Sequence, residues 1–457
     1  LNLGESHIHF VGIGGIGMSG IAEVLVNMGC KVTGTDAAVN AQVERLQALG
    51  VEVKKGHSAK NLPLKCDALV YSSAVKPSNP EVVEAKKRKV PIIQRAEMLA
   101  ELMGLKRGIA IGGTHGKTST TSIVATMLLS AQLEPTIVIG GRLDLIKSTA
   151  ALGKGEWFVA EADESDGSFL RLSPEIVVVT NIDNDHLDHY RDFKHLEKTF
   201  DEFCRKIPFY GVAILCVDDP FVAKLASQFD KRMMTYGLNK KARLRANNLK
   251  SVGSQQTFEV SLDGIDLGRV TLNVPGRHNV LNALASVAVG LELKLTFDSI
   301  AKGVGQYRGV DRRLQIRGQF NEAVVIDDYG HHPTEVLATL AALRQAYPKN
   351  RIVVAFQPHR YSRTKTCWKQ FLICFKDADV VGVLDIYAAG EAKIPAINSP
   401  KLAKAASKKN KNISYWGSVK ASEKKVRSFL KPNDVFLTLG AGDVWKLGAE
   451  LVRDEGS

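Results

Sequence analysis

Along this chain, short runs of consecutive apolar residues alternate with longer stretches in which apolar positions return every third or fourth residue. A run of the first kind fits a strand covered on both faces, and a stretch of the second fits the helix that covers it. The alternation predicts βαβ units, mostly parallel sheets and an α/β fold. The clearest strands are "IHFVGIG" from Ile8, "DALVYSSA" from Asp67, "RGIAIGG" from Arg107, "EIVVVTNI" from Glu175, "AVVIDDYG" from Ala323, "RIVVAFQ" from Arg351, "DVVGVLD" from Asp379 and "DVFLTLG" from Asp434. Between Arg243 and Val274 the period changes to two around Asp263-Gly264, which predicts a hairpin and a small antiparallel addition. A helix and linker over Gln94–Gly108 mark one boundary, and the loop Gly309–Leu314 marks a second.

Composition narrows the class. The 457 residues correspond to roughly three domains of about 150 residues each, and an apolar fraction of 45% supplies each with a core. No apolar run reaches the roughly 18–20 residues of a membrane helix, and the first residues lack the order of a signal peptide. A cytoplasmic location and no membrane partner are expected. The six cysteines (Cys30, Cys66, Cys204, Cys216, Cys367, Cys374) form no CxxC pair, so they read as buried or incidental thiols. A net charge of +13 suits phosphorylated anions. The densest basic stretches, "EAKKRKV" from Glu84 and "KAASKKNKNIS" from Lys404, lack interleaved aromatics and read as solvated surface, which disfavours a nucleic-acid partner.

Two glycine loops carry the candidate chemistry. Gly12, Gly14 and Gly17 follow a strand and precede a helix, in the spacing that lets a backbone approach a diphosphate. Asp36 ends the next strand, where a ribose-binding acid is expected, so a dinucleotide such as NAD remains open for this loop. A hundred residues on, "IAIGGTHGKTSTTS" sets Lys117 and Thr118 at a helix start, although Ile111 stands where the general phosphate-loop pattern has its first glycine. Glu161, Asp163, Glu164 and Asp166, then Asp183, Asp185, His186, Asp188 and His189, gather at strand ends, where an α/β sheet collects Mg²⁺. Hard oxygen ligands dominate, so His186-x-x-His189 is a weaker case for zinc.

The motifs "GGTHGKTSTTS", "AEADESDGSFLRLSP", "TNIDNDHLDHY", "PGRHNVLNALAS", "DDYGHHPTEV", "FQPHRYSRT" and "LTLGAGDVW" occur in this order. Together they resemble the Mur ligases of peptidoglycan synthesis over essentially the whole chain. The resemblance implies a Rossmann-like UDP-sugar domain at 1–106, a P-loop-type ATP domain at 107–312 and a C-terminal Rossmann-like ligase domain at 313–457. It places ATP on Gly113, Thr114, His115, Gly116, Lys117, Thr118 and Ser119, with Asn279, Asn282 and Arg313. It places Mg²⁺ on Thr118, Glu161 and His186. The N-terminal stretch "HFVGIGGIGMSGIAEVL" narrows the implied substrates to UDP-N-acetylmuramate and L-alanine, with Gly12, Gly14, Gly15, Gly17, Asp36, Ser72, Ser73, His359, Arg360 and Arg363 as binding residues.

The same resemblance implies catalysis by Lys117, Glu161, His186, Arg313, Asp328 and His331, through an acyl phosphate formed from the muramyl carboxylate and ATP. Arg312 and Arg313 lie in "GVDRR", where the family has "GTGRR". The loop at Asp328–Pro333 resembles the one that helps bring the C-terminal domain over the substrates. Three other readings stay open on the sequence: a recycling ligase that adds a preformed peptide, an NAD(P)-dependent oxidoreductase, and a non-catalytic ATP-switched regulator.

Overall fold

A computed structural model of the chain describes residues 3–72, 74–185 and 189–455. The apolar runs resolve into three sheets. The first is parallel throughout: β1 (His7–Val11), β2 (Lys31–Asp36), β3 (Glu52–Lys55), β4 (Ala68–Tyr71) and β5 (Ile92–Gln94), in the order β3-β2-β1-β4-β5. The strand order reverses between β1 and β4, so the loop after β1 opens at the switch point where such sheets take ligands.

The second sheet contains β6 (Arg107–Gly112), β7 (Thr136–Leu143), β8 (Ser148–Ala151), β9 (Trp157–Glu161), β10 (Ile176–Val179), β11 (Val212–Cys216), β12 (Met233–Gly237), β13 (Leu244–Val252), β14 (Gln255–Leu262) and β15 (Ile265–Leu272). Their order is β15-β14-β13-β12-β11-β10-β6-β9-β7-β8. The expected hairpin joins β14 to β15, with Asp263 at φ 50° and Gly264 at φ 87°, both in the left-handed region that a tight two-residue turn demands. The third sheet contains β16 (Gln315–Phe320), β17 (Ala323–Asp328), β18 (Ile352–Phe356), β19 (Val380–Leu384), β20 (Ile413–Gly417) and β21 (Val435–Leu439), ordered β16-β17-β21-β18-β19-β20. Only β16 runs antiparallel to its neighbour here.

The first sheet and most of the second belong to one compact unit; the third belongs to a second unit, which also takes in residues 248–258 and 271–280, with parts of β13, β14 and β15. Within the first unit, the Ile16–Asn27 helix buries Met18, Ile21, Ala22 and Leu25. Its Gly20 faces Thr149 and Ala150, where a Cβ would sit in ordinary contact at 3.4 Å. Buried Glu23 receives both Arg45 (2.6 and 2.9 Å) and the Ser148 hydroxyl (2.7 Å), which ties the first sheet to β8. No described helix is long and apolar enough to cross a membrane. Five of the six cysteines are buried, and burial pushes the Cys216 thiol up to about 12, which keeps it a protonated packing group.

A buried carboxylate organises the first sheet. Glu81 accepts from His9 Nε2 (2.8 Å), Thr35 Oγ1 (2.9 Å), His57 Nδ1 (3.1 Å) and the Ser58 amide (3.2 Å). Burial works to raise its pKa, but these donors win and hold it below the usual glutamate value. Such a group contributes stability above its unfolded pKa of about 4.3, which is lost as pH falls through the lower folded value. Glu81→Ala is expected to cost about 3 kcal/mol at neutral pH and to flatten the acid limb of stability between about pH 5 and 3. The first urea transition, followed across that range, measures both effects.

Candidate active site

The parallel register of β6 with β10 and β9 builds the central loop. Gly112 pairs with Val179 and Ile111 with Glu161, so the chain leaves β6 beside two other strand ends. Gly113 turns at φ +130°, and a Cβ there would lie 2.0 Å from Thr180 Oγ1. Gly116 (φ 82°) precedes the Lys117–Ser130 helix and caps it with no side chain, which leaves first-turn N–H groups for an anion. Thr118 and Ser119 sit in that first turn and are buried. Asn282 lies under the loop, accepting from Thr120 Oγ1 at 3.1 Å, and a Cβ on Gly116 would meet its Oδ1 at 2.8 Å. Asn279 instead donates to the Pro275 carbonyl at 2.7 Å.

Lys117 folds back over this loop. Its Nζ donates to the carbonyls of Gly113 (2.7 Å) and Thr114 (3.1 Å) and pairs with Glu164 at 2.8 Å. Burial works against the charge, yet Glu164, Asp163 and Glu161 hold the ammonium above the usual lysine pKa. The cation is therefore kept at neutral pH.

Residues after β10 brace the loop from below. Asn181 accepts the His115 N–H (2.8 Å) and donates to the His115 carbonyl (2.9 Å), while Thr180 Oγ1 donates to the same carbonyl (2.7 Å). Asp183 faces His115 Nε2 at 2.9 Å, and its amide donates to Thr114 Oγ1. Asp183, one of the acids the sequence gathers at strand ends, thus contacts the central glycine loop at His115 and Thr114. Thr180 and Asn181 were not singled out at all, because their role depends on knowing that β10 neighbours β6.

The acids divide by partner. Glu164 pairs with Lys117, and Asp163 pairs with Arg95 at 2.9 Å. Burial opposes ionisation of Asp163, but Arg95 and Lys117 lower it to about 2. Glu161, at the end of β9, receives the Gly140 amide at 2.7 Å. The Thr118 hydroxyl and the Glu161 carboxylate are hard oxygen donors beside an anion-ready helix start, a donor set that fits Mg²⁺. His186, with its neighbour Asp188, and Ser73 lie outside the described residues.

In the N-terminal loop, Gly12 turns at φ 79° beside the Ser72 hydroxyl. The Gly14 amide donates to Asp36 Oδ2 (2.8 Å), Asn40 donates to the Gly14 carbonyl (3.0 Å), and Asp36 Oδ1 receives Ala38 N–H (3.1 Å). Asp36 thus stiffens the loop directly. Gly15 caps the Ile16–Asn27 helix without a side chain. Gly17 makes room for a guanidinium, since a Cβ there would lie 2.8 Å from Arg95 Nη1. Arg95 therefore joins this helix start to Asp163.

The second unit carries the remaining residues. Asp328 is buried and accepts from the amides of Gly330 and Leu314 (both 2.8 Å) and from Thr339 Oγ1 (3.1 Å). Burial raises its pKa. His332 caps the Pro333–Ala346 helix in a capping box with Glu335, which also receives the His331 amide. Arg312 is pinned to Asp327 (3.0 Å) and the Gly440 carbonyl (2.7 Å). Arg313 lies 3.8 Å from Glu335; burial, aided by the Arg313 charge, pushes His278 down to about 4. His359, Arg360 and Arg363 follow β18, with Arg363 Nη1 donating to His359 Nδ1 at 3.1 Å. Because Arg only donates, this bond requires an unprotonated Nδ1 on His359.

An α/β protein with two glycine loops, each leading from a parallel strand into a helix start, is what this geometry defines. Family models match the chain as the Mur ligase family catalytic domain (residues 7–107), the Mur ligase middle domain (111–290) and the Mur ligase glutamate ligase domain (312–442). A UDP-N-acetylmuramate–L-alanine ligase of Bdellovibrio bacteriovorus is 51% identical, covering 99% of this chain and 100% of that protein. A ligase of the same name from Trichlorobacter lovleyi is 52% identical over 98% of each. Among solved structures, the UDP-N-acetylmuramate–alanine ligase of Thermotoga maritima superposes with a TM-score of 0.85 at 30% identity over 99% of both chains. A murein peptide ligase of Psychrobacter arcticus shares the fold, with a TM-score of 0.73 at 22% identity. The chain belongs to the Mur ligase family.

Proposed function

We infer that this chain joins L-alanine to the carboxylate of UDP-N-acetylmuramate with hydrolysis of ATP to ADP and phosphate, in peptidoglycan precursor synthesis. The observation that carries this reading is the likeness to alanine ligases at about 51% identity along 99% of the chain. Two separate phosphate-facing loops agree with a reaction that uses two nucleotides. Residues 1–106, 107–312 and 313–457 serve as the sugar-nucleotide, ATP and amino-acid parts. A reaction fed by ATP and a UDP-sugar belongs in the cytoplasm.

A carboxylate resists attack by an amine because its oxygen is a poor leaving group. Transfer of the γ-phosphoryl group to the muramyl carboxylate gives an acyl phosphate and ADP; the alanine amine then attacks the acyl carbon, the amide forms and phosphate leaves. The Gly113–Ser119 loop orients the triphosphate through backbone amides, and Lys117 balances charge on the transferred group. Thr118, Glu161 and His186 would hold Mg²⁺, which supplies further charge neutralisation when bound. Gly12, Gly14, Gly15 and Gly17 bring backbone amides to the diphosphate of the UDP-sugar, with Asp36 and Ser72 around them. His359, Arg360 and Arg363 receive a substrate carboxylate, which guanidinium forks suit. Arg313, Asp328 and His331 complete the catalytic set.

The test is ADP release that requires both UDP-N-acetylmuramate and L-alanine, with ¹⁸O passing from the muramyl carboxylate into the released phosphate. Turnover with a preformed peptide but not with alanine would make the chain a recycling ligase. Absence of the oxygen transfer would overturn the acyl-phosphate route.

A further inference from the structure

Arg360 has a backbone that an L-residue rarely adopts, at φ 68° and ψ 141°. A conformation of this kind costs on the order of 1–3 kcal/mol and persists only where the surroundings over-determine it. The surroundings here come from one segment after β19, "DIYAAGE", covering Asp385–Glu391. The Arg360 amide donates to the Tyr387 carbonyl (2.8 Å), and the Tyr387 amide donates to the Pro358 carbonyl (2.8 Å). Together they form a short bridge between His359 and Tyr387. The Tyr387 ring lies flat on the His359 imidazole, 5.7 Å between centroids and 10° between planes. Its other limit is the backbone at Gly442, where a Cβ would come within 2.7 Å of the tyrosine ring. Glu391 closes the segment by accepting both the Ser362 amide (3.0 Å) and the Ser362 hydroxyl (2.6 Å).

We propose that Tyr387 and Glu391 are positioning residues of the amino-acid carboxylate site, holding His359, Arg360 and Arg363 in the geometry that receives alanine. The proposal rests on the ligase reading above. The stacked ring fixes the imidazole plane, and His359 Nδ1 in turn fixes the buried Arg363 guanidinium. The Glu391 clasp holds the first turn of the Tyr361–Thr366 helix, and with it the turn at Arg360. The "GAGD" glycine Gly442 lies against the same ring: a Cβ there would meet Gln357 Oε1 at 2.3 Å and Tyr387 at 2.7 Å.

Tyr387→Ala should raise KM for L-alanine about tenfold or more while leaving KM for ATP and for UDP-N-acetylmuramate within about twofold, since a small misplacement of a binding group acts on its own substrate. Tyr387→Phe keeps the stacking face and should restore the alanine KM. Glu391→Gln, which retains an acceptor for the amide and a polar partner for the hydroxyl, should be milder than Glu391→Ala. Unchanged alanine KM in Tyr387→Ala, or equal shifts in all three KM values, would overturn the proposal. If the unaltered enzyme showed no alanine-dependent ADP release, the ligase reading itself would fall, an outcome read before any variant is compared.

Discussion

Lys117→Ala should lower turnover by about 10³-fold or more, because a fixed cation is removed from where the transferred phosphoryl group gains charge. The structure adds a second consequence. Glu164, buried and paired with Lys117 at 2.8 Å, would lose its counter-ion, so part of the effect could come from a distorted loop. The double variant Lys117→Ala/Glu164→Gln separates the two. It removes the stranded charge without restoring the cation, and is expected to remain inactive while regaining thermal stability. Recovery of turnover in the double variant would show that Lys117 is a structural counter-ion and not a participant in phosphoryl transfer. Single-turnover kinetics with labelled ATP reads the chemical step directly.

Glu161→Gln should lower turnover by about 10²-fold and shift the Mg²⁺ requirement upward, since a neutral amide is a weaker ligand for a hard cation. Glutamine still offers an oxygen to the Gly140 amide, so β7 and β9 should keep their arrangement and the thermal midpoint should stay close to that of the unaltered protein. UDP-N-acetylmuramate affinity, measured by calorimetry, should be preserved. Near-normal turnover across the whole Mg²⁺ titration would remove Glu161 from the metal site.

The eight apolar runs read from the sequence all form strands, because each lies in the interior of a sheet or directly beside it. Among the strands that escaped notice, β11 is an apolar run buried throughout and inside its sheet, of the same kind as those that were read, whereas two others are different in kind. The "EVKK" of β3 is at a sheet edge with three of its four residues exposed, and "ISYWG" of β20 is another edge strand. Their pairing comes from neighbours, not from their own apolarity. At the site, Lys117 was legible because a glycine turn between strand and helix has few other uses. The bracing by Thr180 and Asn181 was not, since it depends on which strands become neighbours. Nor was Arg95, which reads as an ordinary helix residue until the missing Cβ of Gly17 gives it space. The basic run at Glu84 misled in one respect: Arg88 donates to the carbonyls of Leu62, Pro63 and Leu64 and is not a purely solvated charge.

Arg95 and Glu23 have a bearing on how sequences of this kind may be recombined. Each reaches from the first sheet to the second, Arg95 to Asp163 and Glu23 to Ser148. Exchanging residues 1–106 for the corresponding part of a ligase with another sugar specificity would transplant one half of each pair. A chimera lacking a suitable basic residue at 95 would strand Asp163 next to the central glycine loop, and one lacking an acceptor at 23 would leave the Ser148 hydroxyl without its carboxylate. Graft design therefore has to carry the two contacts as matched sets across the junction, and the natural cut lies along these pairs as much as along the linker.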